Sequence, residues 1–219
     1  MKRNKFSLSN YKLLTCNMGE LIPCGLTEVL PGDTIQQATS ALIRTTPLVS
    51  PPMHPVQVKI HHWFVPHRLI WDDFEDFITG GADGLNASTF PTITIGGGSG
   101  AAVGSLADYL GVPTGVNNIE VSALPFRAYA HIYNENYRDT KLQTELVVNT
   151  ASGADATTST SLKRALWERD RFTGSQDDTQ LGTEVSLPLG STAPVTTNTA
   201  NPTLTHNGVV FDKIQHDRS

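Results

Sequence analysis

Four of the chain's seven histidines, His54, His61, His62 and His67, fall within fourteen residues of one another, and imidazoles gathered at that density could hold a metal ion. The spacing argues against it. Neighbouring residues of a strand point to opposite faces, so His61 and His62 reach one ion only across a bulge. No Gly-x-Ser-x-Gly elbow occurs, and no paired carboxylates lie in an evidently apolar stretch, so neither nucleophilic nor acid-base hydrolysis has its parts. The glycine-rich run from Gly96 to Gly104 lacks the Gly-Lys-Ser/Thr ending of a phosphate loop. Its small residues predict a mobile surface loop instead. Trp63, Trp71 and Trp167 could stack on sugars, which leaves a β-sandwich carbohydrate-binding module as the alternative to a structural protein. The reading is a non-enzyme with no cofactor and no metal.

The histidines sit in a segment whose order is informative. Val56, Val58, Ile60, His62 and Phe64 share one parity and Gln57, Lys59, His61 and Trp63 the other, the alternation of a strand with one mostly apolar face. Pro66 ends it, having no N–H for a ladder. From Ile70 the period changes: Ile70, Phe74, Phe77 and Ile78 recur at helical spacing with Asp72, Asp73, Glu75 and Asp76 between them. The acids suit the positive end of a helix, and Gly80-Gly81 supplies a stop. Trp63, Phe64, Trp71 and Phe74 are expected in the core or at a subunit interface.

Three further strands are expected: Glu20 to Leu30, Asp33 to Thr46 after a Pro31-Gly32 turn, and Thr92 to Ile95. Ser105 should cap a short helix, Leu106 to Leu110, closed by Gly111 and Pro113. From Ser122 a longer helix is expected, with Phe126, Tyr129, Ala130, Tyr133 and Tyr137 on one stripe. Phe126 and Tyr129 join the core-or-interface candidates. Thr, Val and Ile segments broken by Gly and Pro give the rhythm of a mainly β, antiparallel sandwich with long insertion loops and short helices. Two low-hydrophobicity tracts, 149–161 and 190–207, read as exposed loops. Leu162 to Trp167 and Val185 to Leu189 are short ordered candidates.

At 219 residues and a net charge of −5, the chain can bury a sizeable core and as a whole is no electrostatic binder of nucleic acid. The first dozen residues differ. Lys2, Arg3, Lys5 and Lys12 form a basic arm, 1–12, without an acid, a candidate for contacting phosphates. No run approaches the ~18 apolar residues of a membrane span, and the polar residues after the basic start do not suit a signal peptide. Cys16 and Cys24 fit no zinc spacing and read as reduced, partly buried thiols.

Several phrases, in order, resemble the major capsid proteins of microviruses, the small single-stranded DNA phages, and in particular their gokushovirus-like branch. They are Leu21-Ile22-Pro23 with Glu28-Val29-Leu30-Pro31-Gly32-Asp33-Thr34, then Phe64-Val65-Pro66-His67-Arg68-Leu69-Ile70-Trp71-Asp72, then Ser105-Leu106-Ala107-Asp108-Tyr109-Leu110-Gly111-Val112-Pro113-Thr114-Gly115. The last runs from Leu124-Pro125-Phe126-Arg127-Ala128-Tyr129 through Ile132-Tyr133-Asn134-Glu135 to Tyr137-Arg138-Asp139. The likeness covers about Leu13 to Gly190. It departs at Arg171-Phe172-Thr173-Gly174-Ser175, which lacks the Pro-Trp-Pro that follows in the family, and members are much longer, so a partial gene product is expected. The resemblance implies a viral jelly roll, here incomplete as one domain over 1–219. It implies a T=1 icosahedral shell of identical subunits around single-stranded DNA, with minor virion proteins as further partners. The expected locations are the virion and, during assembly, the host bacterial cytoplasm. An incomplete jelly roll leaves a sheet edge unpaired, so the chain alone is expected to fold poorly.

Overall fold

In the computed structural model, the described residues are 4–51, 53–140, 142–166, 171 and 183, together with the backbone of two strands near the C-terminus. They fall into two units, divided after Asp170.

The first unit is built around a small sheet of order β2-β1-β3, in which β1 is Thr92–Ile95, β2 Ile119–Ser122 and β3 Ala154–Asp155. β1 and β2 are antiparallel, pairing Thr92 with Ser122 and Ile95 with Ile119. β1 and β3 are parallel, pairing Thr92 with Ala154. The sheet is therefore mixed, where a purely antiparallel arrangement was expected. The second unit contributes a hairpin, β4 (Leu204–His206) against β5 (Val209–Phe211). Among the described residues, small sheets, three α-helices and long connections without secondary structure are consistent with a mainly β chain.

The two later helices follow the periodicity closely, whereas the helix expected from Ile70 begins only at Phe74 and buries none of its residues fully, Phe77 and Ile78 being exposed. A 3-10 turn, His67–Leu69, leads into α1, Phe74–Thr79. The α1 helix ends where Gly80 adopts φ 84° and its N–H reaches back to the Asp76 carbonyl, a left-handed stop that glycine makes without strain. The Ser105 hydroxyl accepts from the Asp108 N–H and caps α2, Leu106–Tyr109. The longest helix is α3, Leu124–Asn136, with Pro125 in its first turn, where a missing N–H costs nothing. Its inner face, Phe126, Tyr129, Ala130 and Tyr133, is buried as the spacing requires. Phe126 and Tyr129 pack with Ile93 and Ile95 of β1 and with Leu106 and Ala107 of α2, while Ala130 and Tyr133 pack on Leu146. Burying a side chain of this size stabilises by roughly 1.5–3 kcal/mol, and this core sets the position of everything described below.

Three of the four expected strands are not strands here. Glu20 to Leu30, Asp33 to Thr46 and Val56 to Val65 carry no ladder, apart from a single bridge between Glu20 and Arg164. The Pro31-Gly32 turn does form, with Gly32 at φ 86° and the Asp33 N–H donating to the Leu30 carbonyl at 3.1 Å. Alternation encodes a face, whereas a strand also needs a partner.

Two loops are more ordered than composition suggested. In the glycine-rich run, Ala101 is buried and bridges Thr114, and a Cβ on Gly100 would stand 2.5 Å from the Gly115 carbonyl carbon and the Val116 nitrogen. Glycine is needed there so that two backbones can touch. Within 149–161, Asp155 and Thr158 are buried and β3 joins the sheet, so this tract packs. Val185 to Leu189 and the 190–207 loop lie outside the described residues, apart from β4, as does Trp167.

Candidate assembly surfaces

The organising side chain is Arg127, beside Ala130 and Asn134 at the margin of the buried face of α3 and 0 % exposed. Its guanidinium makes three directed bonds: Nε to Asp155 Oδ2 at 2.9 Å, Nη1 to the Ile70 carbonyl at 3.1 Å and Nη2 to the Ala151 carbonyl at 2.9 Å. A planar fork suits such a junction, and a buried charge demands it. Burial by itself would raise the Asp155 carboxyl. The Thr158 hydroxyl and N–H, then Arg127 and the Thr157 N–H, more than offset that and hold its pKa down at about 2. Sequence reading missed Arg127, Asp155 and the buried Asn134, whose amide brackets the Leu146 backbone with two 2.9 Å bonds.

The acids ahead of α1 serve the same junction. Asp72 Oδ2 accepts from the Thr150 hydroxyl at 2.6 Å and Asp73 Oδ2 from Ser152 at 2.7 Å, while Trp71 Nε1 donates to the Ser152 oxygen at 2.8 Å. Trp71, 1 % exposed, is thereby held among Phe74, Phe77 and Phe90. It belongs to the core and offers no face to a sugar. Phe74 is half-buried and stacks on His67. Tyr129 is buried too, its hydroxyl donating to the Leu21 carbonyl and accepting from the Lys163 N–H. Burial pushes that hydroxyl up, partly offset by the Lys163 bond. Residues 19–21 and 163–165 are zipped beside it, with Leu21 N–H on the Lys163 carbonyl and Ala165 N–H on the Gly19 carbonyl.

Trp63 and Phe64 stand elsewhere, 47 % and 75 % exposed. His61 lies against Tyr137 at the end of α3 in a stacked arrangement, its Nδ1 hydrogen-bonded to the Tyr137 hydroxyl, which also accepts from Trp63 Nε1. With His62 and Asn136 these line an open concavity of about 430 Å³. Among the described residues, no group of three or more His, Cys, Asp or Glu could hold a metal ion. Both cysteines are free and exposed, against the expectation of partial burial.

Among the described residues, a long run of chain without secondary structure exposes many apolar side chains. From Leu26 to Phe64 the apolar side chains Leu26, Leu30, Ile35, Leu42, Val56 and Val58 are all exposed. Such a stretch, long, apolar and without ladder partners, is made to be covered. At the start of the chain Lys5 is exposed. Lys12 is not available as a free cation, since its ammonium donates to the carbonyls of Pro23 (2.8 Å) and Tyr109. Lys2 and Arg3 lie outside the described residues.

The profile of a family described as Capsid protein (F protein) matches residues 1–217. The chain belongs to the capsid protein (F protein) family. Among curated proteins it is 39 % identical over 197 residues to capsid protein VP1 of Bdellovibrio phage phiMH2K, covering 89 % of this chain and 37 % of that one. It is 41 % identical over 156 residues to VP1 of Chlamydia phage 1, covering 68 % and 26 %. To VP1 of Spiroplasma virus 4 it is 30 % identical over 223 residues, covering 95 % and 40 %. The chain thus spans two fifths or less of the length of these relatives. Of the aromatic candidates, Trp71, Phe126 and Tyr129 are buried, while Trp63 and Phe64 are exposed. Among the described residues, no helix is long and apolar enough to cross a membrane.

Proposed function

We propose that this chain contributes to a major capsid subunit, a structural protein that associates with identical copies into a T=1 icosahedral shell around single-stranded DNA. Assembly takes place in the host bacterial cytoplasm, the product is the virion, and minor virion proteins are further partners. The observation that carries this reading is the extended apolar stretch of residues 24–66. Its portion from Val56 to Val65 has the alternation of a strand, most of its described apolar side chains are exposed, and it has no ladder partner among the described residues. Membership of the capsid family gives it a use. In a complete antiparallel jelly roll, these residues supply strands whose partners come from the remaining length of the subunit, and the outer faces meet neighbouring subunits. The work of such a protein is mutual burial of surface, in which closed symmetry multiplies modest contacts.

The test joins this chain to the remainder of the phiMH2K capsid protein. Closed particles in the electron microscope, with slow amide exchange over 24–66, are the expected result. A soluble monomer in which that stretch exchanges as fast as an unfolded peptide would overturn the reading.

A further inference from the structure

Residues 4–11 make no use of their own apolar side chains. Their side-chain hydrogen bonds are local, between Ser7 and Ser9 and from Asn10 to the Leu8 carbonyl, and Phe6, Leu8 and Tyr11 are exposed. Immediately afterwards the chain is fixed. Lys12 is held by the Pro23 and Tyr109 carbonyls, and the Tyr109 hydroxyl donates to the Thr15 carbonyl at 2.7 Å. The arm therefore leaves the body from an anchored point. Contact with single-stranded DNA would use the cations on phosphates and could stack Phe6 and Tyr11 on bases, but it gives the aliphatic Leu8 no partner.

A face with the complementary chemistry is the outer side of α1. Glu75 and Ile78 lie one turn apart and both are exposed, with Asp76 beside them. Phe77, whose inner edge meets Trp71, extends to Phe90 at 6.3 Å between centroids, and both rings are partly exposed. Among the described residues, neither the Glu75 nor the Asp76 carboxylate has a hydrogen-bond or ion-pair partner, unlike Asp72 and Asp73. From Leu69 to Phe126 the sequence contains seven acids and no Lys or Arg, whereas the first twelve residues contain four bases and no acid.

We propose that the arm of one copy, residues 2–11, docks on the outer face of α1 of a second copy. Lys2, Arg3 and Lys5 are set against Glu75 and Asp76, and the arm's apolar side chains lie against Ile78 and the exposed edges of Phe77 and Phe90. Opposite charge selects the partner face and burial of Phe6 and Leu8 holds it. The same chain's α1 is a weaker candidate, because residues 4–11 are exposed along their whole length in their own chain. The inference rests on the reading of this protein as an assembling subunit.

A fluorescent peptide of residues 2–12, titrated with the full chain at low salt, should bind. Glu75→Lys with Asp76→Lys in the chain should weaken it on the order of tenfold, and a peptide carrying Lys2→Glu, Arg3→Glu and Lys5→Glu should recover binding to that altered chain. Both altered chain positions are exposed, and an unchanged near-ultraviolet signal from Trp71 verifies the fold. Equal binding to both chains overturns the proposal, as does peptide binding to a thymidine oligonucleotide in place of the chain. Lys5→Cys and Glu75→Cys on separate copies, each with Cys16→Ser and Cys24→Ser, should form a mixed disulfide. A disulfide only when both lie in one copy overturns docking between copies. In the joined chain that tests the capsid reading, deletion of residues 2–11 should reduce particle yield. Undiminished particles would overturn the docking while leaving the capsid reading intact.

Discussion

Arg127 and Asp155 form an ion pair at 2.9 Å with both side chains fully buried, and they bring α3 and β3 together at a point also bonded to the chain ahead of α1. Removing one partner strands a charge in the interior. Arg127→Met or Asp155→Ala is expected to cost about 3–5 kcal/mol, read by urea unfolding followed through Trp71. In Arg127→Met with Asp155→Leu together, the loss should fall well short of the sum of the singles, because neither charge is left behind.

The same carboxylate makes stability depend on acid. Its folded pKa, about 2, lies below the ordinary 3.8, so the folded state binds the proton less readily than the unfolded one. The contribution is complete above about pH 4 and is lost as pH falls through 2. It amounts to roughly 2 kcal/mol. Melting temperatures between these limits should fall more steeply for the unaltered chain than for Asp155→Asn, in which the titrating group is gone.

Gly100→Ala should destabilise the chain by roughly 2 kcal/mol or more, because it combines φ 75° with a Cβ driven into the backbone of Gly115 and Val116. Gly98→Ala, where nothing stands within 4 Å, should be close to neutral. Thermal unfolding of the pair separates a packed loop from a mobile one.

Tyr137→Phe removes the hydroxyl shared by His61 and Trp63. These bonds are exposed, so the cost should be about 1 kcal/mol or less. The segment they hold should nevertheless be freed from the end of α3. Limited proteolysis within Val56 to Val65 should become faster while the core melts at nearly the same temperature.

Val58→Lys with Ile60→Lys should lower self-association of the chain, measured by light scattering, and leave Trp71 in its native environment. Both positions are on the exposed alternating stretch, outside the packed core.

Local rules made the helices legible. The Ser105 cap, the Gly80 stop and the stripe from Phe126 to Tyr133 each depend on residues within a few positions of one another. The strands were less legible because alternation in Val56 to Val65 specifies what a ladder would bury but not whether a partner is present. Least legible was the polar junction. Asp155 lies in a Thr- and Ser-rich tract that resembles solvated loop, and Arg127 follows Phe126 on a helix whose apolar stripe excludes it. Their pairing spans 28 positions, and buried polar groups are selected by geometry that leaves no period. Of the basic arm, Lys12 proved to be an anchor, since its long stem lets the ammonium reach two carbonyls that composition does not reveal.

The bond from Arg127 to the Ile70 carbonyl has a mechanical meaning. The segment from Phe64 through Pro66 and the 3-10 turn runs to Ile70, whose carbonyl is bonded to a guanidinium also held by Ala151 and Asp155. A displacement at Ile70 is thus carried through one side chain to Ala151 and Asp155, so the start of the acidic segment and the Thr- and Ser-rich tract are mechanically linked.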